Sequence, residues 1–146
     1  MMKNTFNIVL VGGGSTWTPG LLKALCKLKS RLPLKKLVMF DVNEKRQAVI
    51  GEYAKVLFRE EYPELEFTYT TDKDVAFADM DFIFCQMRTG GYAMREKDEK
   101  IPLSLGVIGQ ETCGAGGFAY GMRSIRDMIQ LVEDVRARSP QAWILN

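Results

Sequence analysis

The chain has 146 residues, of which 47% are hydrophobic and 26% charged, and its formal net charge is +2. These values are typical of one globular domain with a sizeable core, and so small a charge gives no support for a nucleic-acid or membrane partner. Three scattered cysteines and no histidine predict a cytoplasmic location and disfavour a complete metal site or a His-based mechanism within these residues. We also predict no signal peptide and no membrane span.

Strands and helices alternate along the chain. Strands are predicted at 6–11, 36–40, 66–70, 81–85 and 142–145, and helices at 18–30, 43–61, 74–78, 93–100 and 118–138. Thr18 is expected to cap the first helix, with Pro19 at its first position. The second helix shows helical periodicity through Val49, Tyr53, Val56 and Leu57. This alternation predicts an α/β fold: a Rossmann-like, doubly wound, mainly parallel sheet with helices on both faces.

The first predicted strand ends at three consecutive glycines, Gly12, Gly13 and Gly14, which Ser15 and Thr16 follow. A strand, a tight turn and a helix start direct backbone N–H groups and the positive end of a helix dipole towards one point. An anion is favoured there, most often a dinucleotide pyrophosphate. Trp17 replaces the third glycine of the usual fingerprint, so the alternative is a tight turn with only a structural role.

Asp41 and Arg46 bear on which dinucleotide would bind. Asp41 ends the second predicted strand, where a carboxylate can accept a hydrogen bond from a ribose 2′-hydroxyl, and this favours NAD over NADP. Arg46 complicates that choice, because an arginine can hold a 2′-phosphate or stack on adenine. We predict that these two residues belong to the cofactor site together with Gly12, Gly13, Gly14, Ser15 and Thr16.

Two arginines, Arg88 and Arg95, flank a Gly-Gly loop after the fourth predicted strand. An arginine in that loop could clamp a phosphate or carboxylate through paired N–H donors. Spacing alone favours solvated arginines, since Arg95 lies in a highly charged segment.

Glu111 and Cys113 lie in a glycine-rich loop, residues 109–117, just before a long helix. Glu111 could support acid–base chemistry, and a helix N-terminus could lower the pKa of Cys113. The alternative is a capping loop in which Glu111 stabilises the helix dipole. The spacing does not separate these interpretations.

Five motifs together resemble glycoside hydrolase family 4. They are Gly12–Thr16, Tyr92–Arg95, Gly109–Gly114, Gly121–Ile125 and Ala142–Asn146, which occur in the family's order along the whole chain. The Glu-Thr-Cys-Gly and Tyr-Gly-Met-Arg-Ser sequences look most like the 6-phospho-α-glucosidase (maltose-6′-phosphate glucosidase) branch.

The resemblance implies an unusual hydrolysis that depends on NAD and on a divalent metal, usually Mn²⁺. A hydride leaves sugar C3, a tyrosine base removes the C2 proton, the C1 substituent is eliminated, water adds, and the hydride returns. By this resemblance Arg95 contacts substrate and Glu111 raises the basicity of the tyrosine. The implied partner is a phosphorylated disaccharide, and the implied full-length assembly is a homo-oligomer, a dimer or a tetramer.

In the family, the metal-binding Cys and His, the catalytic acid and the catalytic tyrosine lie beyond the residue that matches Asn146. We therefore expect residues 1–146 to form an NAD-binding domain, the N-terminal part of a larger enzyme, without metal ligands and without glycosidase activity of its own. The alternatives are an NAD-dependent 2-hydroxy acid dehydrogenase relative and a 6-phospho-β-glucosidase of the same family.

Overall fold

The structure, a computed structural model, describes residues 4–146. Residues 1–3, which belong to the segment for which we predict no signal peptide, lie outside the described residues. The chain divides into two compact units. The first comprises the residues up to Met87 together with Asp134–Asn146, and the second comprises Arg88–Glu133.

The first unit is built on a five-stranded sheet in the order β3-β2-β1-β4-β5, with every neighbouring pair parallel. Its strands are β1 (Phe6–Val11), β2 (Leu34–Phe40), β3 (Glu66–Thr70), β4 (Phe82–Cys85) and β5 (Trp143–Leu145). The α/β prediction is thereby confirmed. β1 lies between β2 and β4, and the chain crosses from one side of β1 to the other after β3. This reversal of strand order is where open α/β sheets bind ligands, beyond the carboxyl ends of the strands.

Three helices of the first unit are α1 (Thr18–Lys27), α2 (Glu44–Glu61) and α3 (Lys73–Ala76). Alternate residues of β1 and β2 share a core with α1 and α2; this core includes Ile8, Leu10, Leu22, Leu25, Leu37, Met39, Ala54 and Phe58. The intervening strand residues, such as Val9 and Val38, are also fully buried. On their side Phe40 contacts Phe77, with ring centroids 5.2 Å apart. Burial on both faces explains why β1 is apolar at every position except Asn7.

The apolar periodicity identified α2 but not the face by which it packs. Val49 is 71% exposed, whereas Gly51, Ala54 and Phe58 are buried. A Cβ at Gly51 would lie 2.7 Å from Cγ of the Tyr69 ring. The Tyr69 ring of β3 therefore occupies the place that a side chain at position 51 would have taken. The face of α2 that carries Gly51 is the one that packs against the sheet.

The predicted capping role of Thr18 is wrong. Trp17 is the N-cap residue of α1 and makes no side-chain capping hydrogen bond. Thr18 is fully buried, and its Oγ1 accepts a hydrogen bond from Gln86 Nε2 at 2.7 Å. The hydroxyl thus links α1 to the segment after β4, a contact between residues 68 positions apart that no local pattern could reveal.

The second unit contains α4 (Gly91–Ser104) and most of α5 (Gly114–Arg138), whose last turns belong to the first unit. Both helices start earlier than predicted, and α4 continues through Pro102. α5 begins at its glycines because they allow close packing: a Cβ at Gly116 would lie 2.6 Å from the Asp98 carbonyl oxygen. No helix within residues 4–146 is long and apolar enough to cross a membrane.

Candidate functional site

The glycine turn directly follows β1, and its backbone is bonded to the protein itself. The N–H groups of Gly12 and Gly13 both donate to the Phe40 carbonyl oxygen, at 2.8 and 3.0 Å, and the Ser15 N–H donates to the Gly12 carbonyl oxygen. The Gly14 N–H donates to Asp41 Oδ2 at 2.8 Å. The three glycine amides therefore have acceptors within the protein, and the anion-binding role of the turn stays a prediction. Among the described residues, the Thr16 N–H is the first amide of the turn without an acceptor.

Close packing explains why glycines occupy these positions. Gly12 has φ +86°, which L side chains rarely adopt. A Cβ at Gly13 would lie 2.9 Å from Met39 Cβ, and one at Gly14 would lie 3.0 Å from Asp41 Oδ2. The turn is therefore seated against the end of β2 with no room for side chains.

Asp41 is half-buried at the end of β2 and uses both carboxylate oxygens. Oδ2 accepts from Gly14, and Oδ1 accepts from the Asn43 N–H at 2.9 Å. Asn43 caps α2 through a bond from the Arg46 N–H to its Oδ1. Because a carboxylate has about four acceptor positions, Asp41 retains capacity for a ribose hydroxyl. The Arg46 side-chain stem packs near Gly14. The roles of Asp41 and Arg46 in nucleotide binding stay predictions.

Two glutamines beside the turn, Gln86 and Gln47, were not predicted from the sequence. Gln86 Nε2 donates to the Gly12 carbonyl oxygen at 3.2 Å as well as to Thr18. Gln47 is buried, and its Nε2 donates to the Thr70 carbonyl oxygen at 2.9 Å. Within residues 4–146 no donor reaches Gln47 Oε1, which lies close to Gly13. Gln86 could have been predicted as a site residue from its position directly after a parallel strand, whereas nothing in the sequence indicates a role for Gln47.

In the second unit, Arg95 and Glu111 come together although 16 residues separate them. Arg95 Nη2 donates to Glu111 Oε2 at 2.9 Å, and its Nε donates to Glu99 Oε1 at 2.8 Å. The hydrogen bond to Glu99 is the main reason that the pKa of Arg95 is raised, and Glu111 adds to the shift. The guanidinium has five N–H donors, so three remain for another ligand. The pairing is compatible with the predicted substrate-binding role without testing it.

A second arginine of this unit forms a buried ion pair. The Arg123 guanidinium donates through both terminal nitrogens to the carboxylate of Asp98, whose side chain is 5% exposed. This hydrogen bonding raises the pKa of Arg123. Arg123 Nε also donates to the Thr89 carbonyl oxygen at 3.3 Å, which fixes the loop before α4. Arg123 lies in one of the five motifs, but its pairing with Asp98 was not predicted, because a charged pair between two helices has no local signature.

The loop before α5 is organised by Gln110. Its Oε1 accepts hydrogen bonds from the N–H groups of Thr112 and Cys113, at the start of the helix. Cys113 is exposed. Gln110 therefore holds the backbone of Thr112 and Cys113 directly before α5, and the Glu111 carboxylate is bound to Arg95.

Among residues 4–146 no three or more His, Cys, Asp or Glu side chains are grouped so that they could hold a metal ion. The residues described here therefore do not fit a complete divalent-metal centre.

Comparison with known proteins identifies the family. The family 4 glycosyl hydrolase profile matches residues 7–146. The chain belongs to this family. It is 54% identical over 142 residues to the phospho-alpha-glucosidase PagL of Clostridium acetobutylicum, covering 97% of this chain and 32% of that protein. It is 36% identical over 147 residues to the 6-phospho-beta-glucosidase of Escherichia coli, covering 99% of this chain and 33% of that protein.

Its fold matches a crystal structure of a 6-phospho-alpha-glucosidase from gut microorganisms in complex with NAD and Mn²⁺. The TM-score is 0.95 at 57% identity, over 98% of this chain and 32% of that one. The chain thus spans about a third of the length of these relatives. The Rossmann-like fold and the family resemblance are both confirmed.

Proposed function

We propose that this chain is the NAD-binding portion of a 6-phospho-α-glucosidase that depends on NAD and a divalent metal and acts on phosphorylated disaccharides. The observation that carries the proposal is the higher identity to a phospho-alpha-glucosidase, 54%, than to a 6-phospho-beta-glucosidase, 36%. Family membership also favours a glycosidase over a 2-hydroxy acid dehydrogenase. We further propose that residues 1–146 form one functional NAD-binding domain of a cytoplasmic enzyme.

In this proposal the glycine turn and Asp41 hold the adenosine half of NAD. Asp41 is oriented by Gly14 and Asn43, so its remaining acceptor capacity faces away from the turn backbone and can receive a ribose hydroxyl. Ser15 and Thr16 supply hydroxyl donors, and the Thr16 N–H, close to the start of α1, has no acceptor among the described residues. NAD supplies reversible hydride acceptance at the sugar C3.

Arg95 and Glu111 have the proposed substrate roles. Arg95 keeps three N–H donors beyond its two carboxylate bonds, and these can bind sugar hydroxyls. The ion pair orients the Glu111 carboxylate, which we assign to supporting the tyrosine base found elsewhere in the family. Because these residues include neither that base nor a metal centre, we propose that the 146-residue chain alone does not hydrolyse glycosides.

Calorimetric titration of the chain with NAD and NADP tests the cofactor assignment. NAD should bind, NADP should bind more weakly, and Asp41→Ala should abolish the difference. Equal affinity for both dinucleotides in the unsubstituted chain would contradict the role of Asp41.

Activity is tested by incubating the purified chain, and separately the full reading frame that encodes it, with NAD, Mn²⁺ and maltose 6′-phosphate. Glucose release by the full-length protein without accumulation of NADH is expected, and hydrolysis of a 6-phospho-β-glucoside should be slower. Stoichiometric NADH would support the dehydrogenase alternative. Hydrolysis by the 146-residue chain would disprove its inactivity.

A further inference from the structure

Arg88 stands apart from the paired arginines of the second unit. It follows the last residue of β4 by three positions, in the segment where open α/β sheets carry their ligand-binding residues. Its guanidinium lies over the Tyr120 ring, 5.3 Å from the centroid. Among residues 4–146 it has no carboxylate partner, whereas Arg95 and Arg123 are each bound to acidic side chains.

The backbone that carries Arg88 is fixed. Thr89 Oγ1 donates to Asp127 Oδ2 at 2.7 Å, and the Thr89 carbonyl oxygen accepts from Arg123. The Gly91 N–H donates to the Arg88 carbonyl oxygen at 3.1 Å, closing a turn in which Gly90 has φ +84°. An arginine held on an anchored turn loses less conformational freedom on binding than one on a mobile loop.

The ring contact also places the guanidinium of Arg88, an exposed residue, beside an aromatic face, which attracts a cation. A guanidinium carries five N–H donors, and paired N–H donors match the oxygens of a phosphate or carboxylate. Arg123 also lies against Tyr120, 5.9 Å from the centroid. Two cations therefore share one ring, but Asp98 neutralises only Arg123, and the positive charge of Arg88 is left uncompensated.

We propose that Arg88, whose guanidinium lies over the Tyr120 ring, is a binding residue for a phosphate oxyanion. This inference rests on the proposed function, which supplies two candidate phosphates. They are the pyrophosphate of NAD and the phosphomonoester of a sugar 6-phosphate. Both present the same chemistry to the guanidinium, and separate titrations distinguish them.

The test is calorimetric titration of the 146-residue chain with NAD and with glucose 6-phosphate, each compared with its uncharged counterpart, adenosine or glucose. Arg88→Gln should weaken binding of at least one phosphorylated ligand by about tenfold or more, the loss typical of a charge-assisted hydrogen bond. Adenosine and glucose should bind as before. Loss for NAD alone assigns the pyrophosphate, and loss for glucose 6-phosphate alone assigns the monoester.

Arg126→Gln is the matched control, since Arg126 is an exposed arginine of the same unit and contacts no aromatic ring within residues 4–146. It should leave all affinities unchanged. Arg88→Lys keeps the charge but not the planar fork, so it should also weaken phosphate binding, and it replaces Arg88→Gln if that variant does not fold.

Unchanged affinity for both phosphorylated ligands in the Arg88 variants would overturn the inference, as would an equal loss in Arg126→Gln or failure of the unsubstituted chain to bind either ligand. Failure to bind NAD, combined with Arg88-dependent binding of glucose 6-phosphate, would instead overturn the proposed cofactor role and leave this inference standing. If NAD binds and the Arg88 variants change the affinity for neither NAD nor glucose 6-phosphate, the role of Arg88 is overturned and the proposed cofactor role stands.

Discussion

Asp41 Oδ2 accepts a hydrogen bond from the Gly14 N–H at 2.8 Å, across 27 residues of chain. The carboxylate at the end of β2 therefore holds the glycine turn at the end of β1. A residue expected only to bind a ribose also has a structural role, and its substitution must affect stability as well as affinity.

Asp41→Asn should lower the free energy of unfolding by about 1–3 kcal/mol. An amide has one acceptor oxygen, so it satisfies either the Gly14 or the Asn43 N–H and leaves the other without its partner. Urea denaturation measures the change. Glu44→Gln, at an exposed position in the first turn of α2, should change stability by less than about 0.5 kcal/mol; an equal loss in both variants would argue against a specific role for Asp41.

Gly13→Ala and Gly20→Ala should have opposite effects. A Cβ at Gly13 would press on Met39 Cβ and Gln47 Oε1, at 2.9 and 3.0 Å, and such overpacking costs about 1–3 kcal/mol. Gly20 lies in α1 with no atom within 4 Å of a new Cβ, so alanine should stabilise the helix by up to about 1 kcal/mol. Thermal unfolding of the two variants checks the contrast. A Gly13→Ala variant as stable as the unsubstituted chain would show that the turn is more loosely packed than these distances indicate.

Arg123→Gln should be among the most destabilising substitutions in the second unit. It leaves the buried Asp98 carboxylate without its counter-ion, which costs about 3–5 kcal/mol. The double variant Asp98→Asn/Arg123→Gln should recover part of that loss, because no unpaired buried charge remains. Arg95→Gln, which breaks pairs that are about one-third exposed, should cost about 1 kcal/mol or less. Chemical denaturation of the unsubstituted chain and the three variants measures these losses of stability. A double variant no more stable than Arg123→Gln would contradict the role of the buried charge.

Cys113 should react with a thiol reagent before Cys26 and Cys85. Cys113 is exposed, whereas burial raises the pKa of Cys26 and of Cys85 and reduces the thiolate fraction of each. Alkylation with iodoacetamide near neutral pH, followed by peptide mass mapping, gives the order of labelling. Cys113→Ser should remove the fast phase, and persistence of a fast phase in that variant would show that another thiol is accessible.

The Rossmann-like sheet could be predicted because its signals are local. β1 and β3 have the predicted bounds. For β1 the reason is that a strand buried on both faces is nearly all apolar, and glycines mark where it ends. The packing of α2 could not be predicted, because the helix has apolar residues on two faces. Which face is buried depends on Tyr69 lying over Gly51.

The candidate site was predictable only in part for a similar reason. The glycine turn and Asp41 follow from positions at strand ends. The hydrogen bonds of Gln86 to Thr18 and of Arg123 to Asp98 join residues that are distant in sequence, and their partners emerge only once the chain has folded. Arg95 and Glu111 were chosen by resemblance, and their ion pair is a finding of the structure alone.

The internal hydrogen bonds of the glycine turn have a consequence for how it exchanges with solvent. The amides of Gly12, Gly13, Gly14 and Ser15 all have acceptors within the protein, and the next amide, of Thr16, has none among the described residues. Hydrogen–deuterium exchange should therefore show four slowly exchanging amides followed by a fast one, because bonded amides must open before they exchange. The Thr16 amide is then a local reporter: slower exchange there, with its four neighbours unchanged, would mark a ligand that docks on a turn already in its final shape.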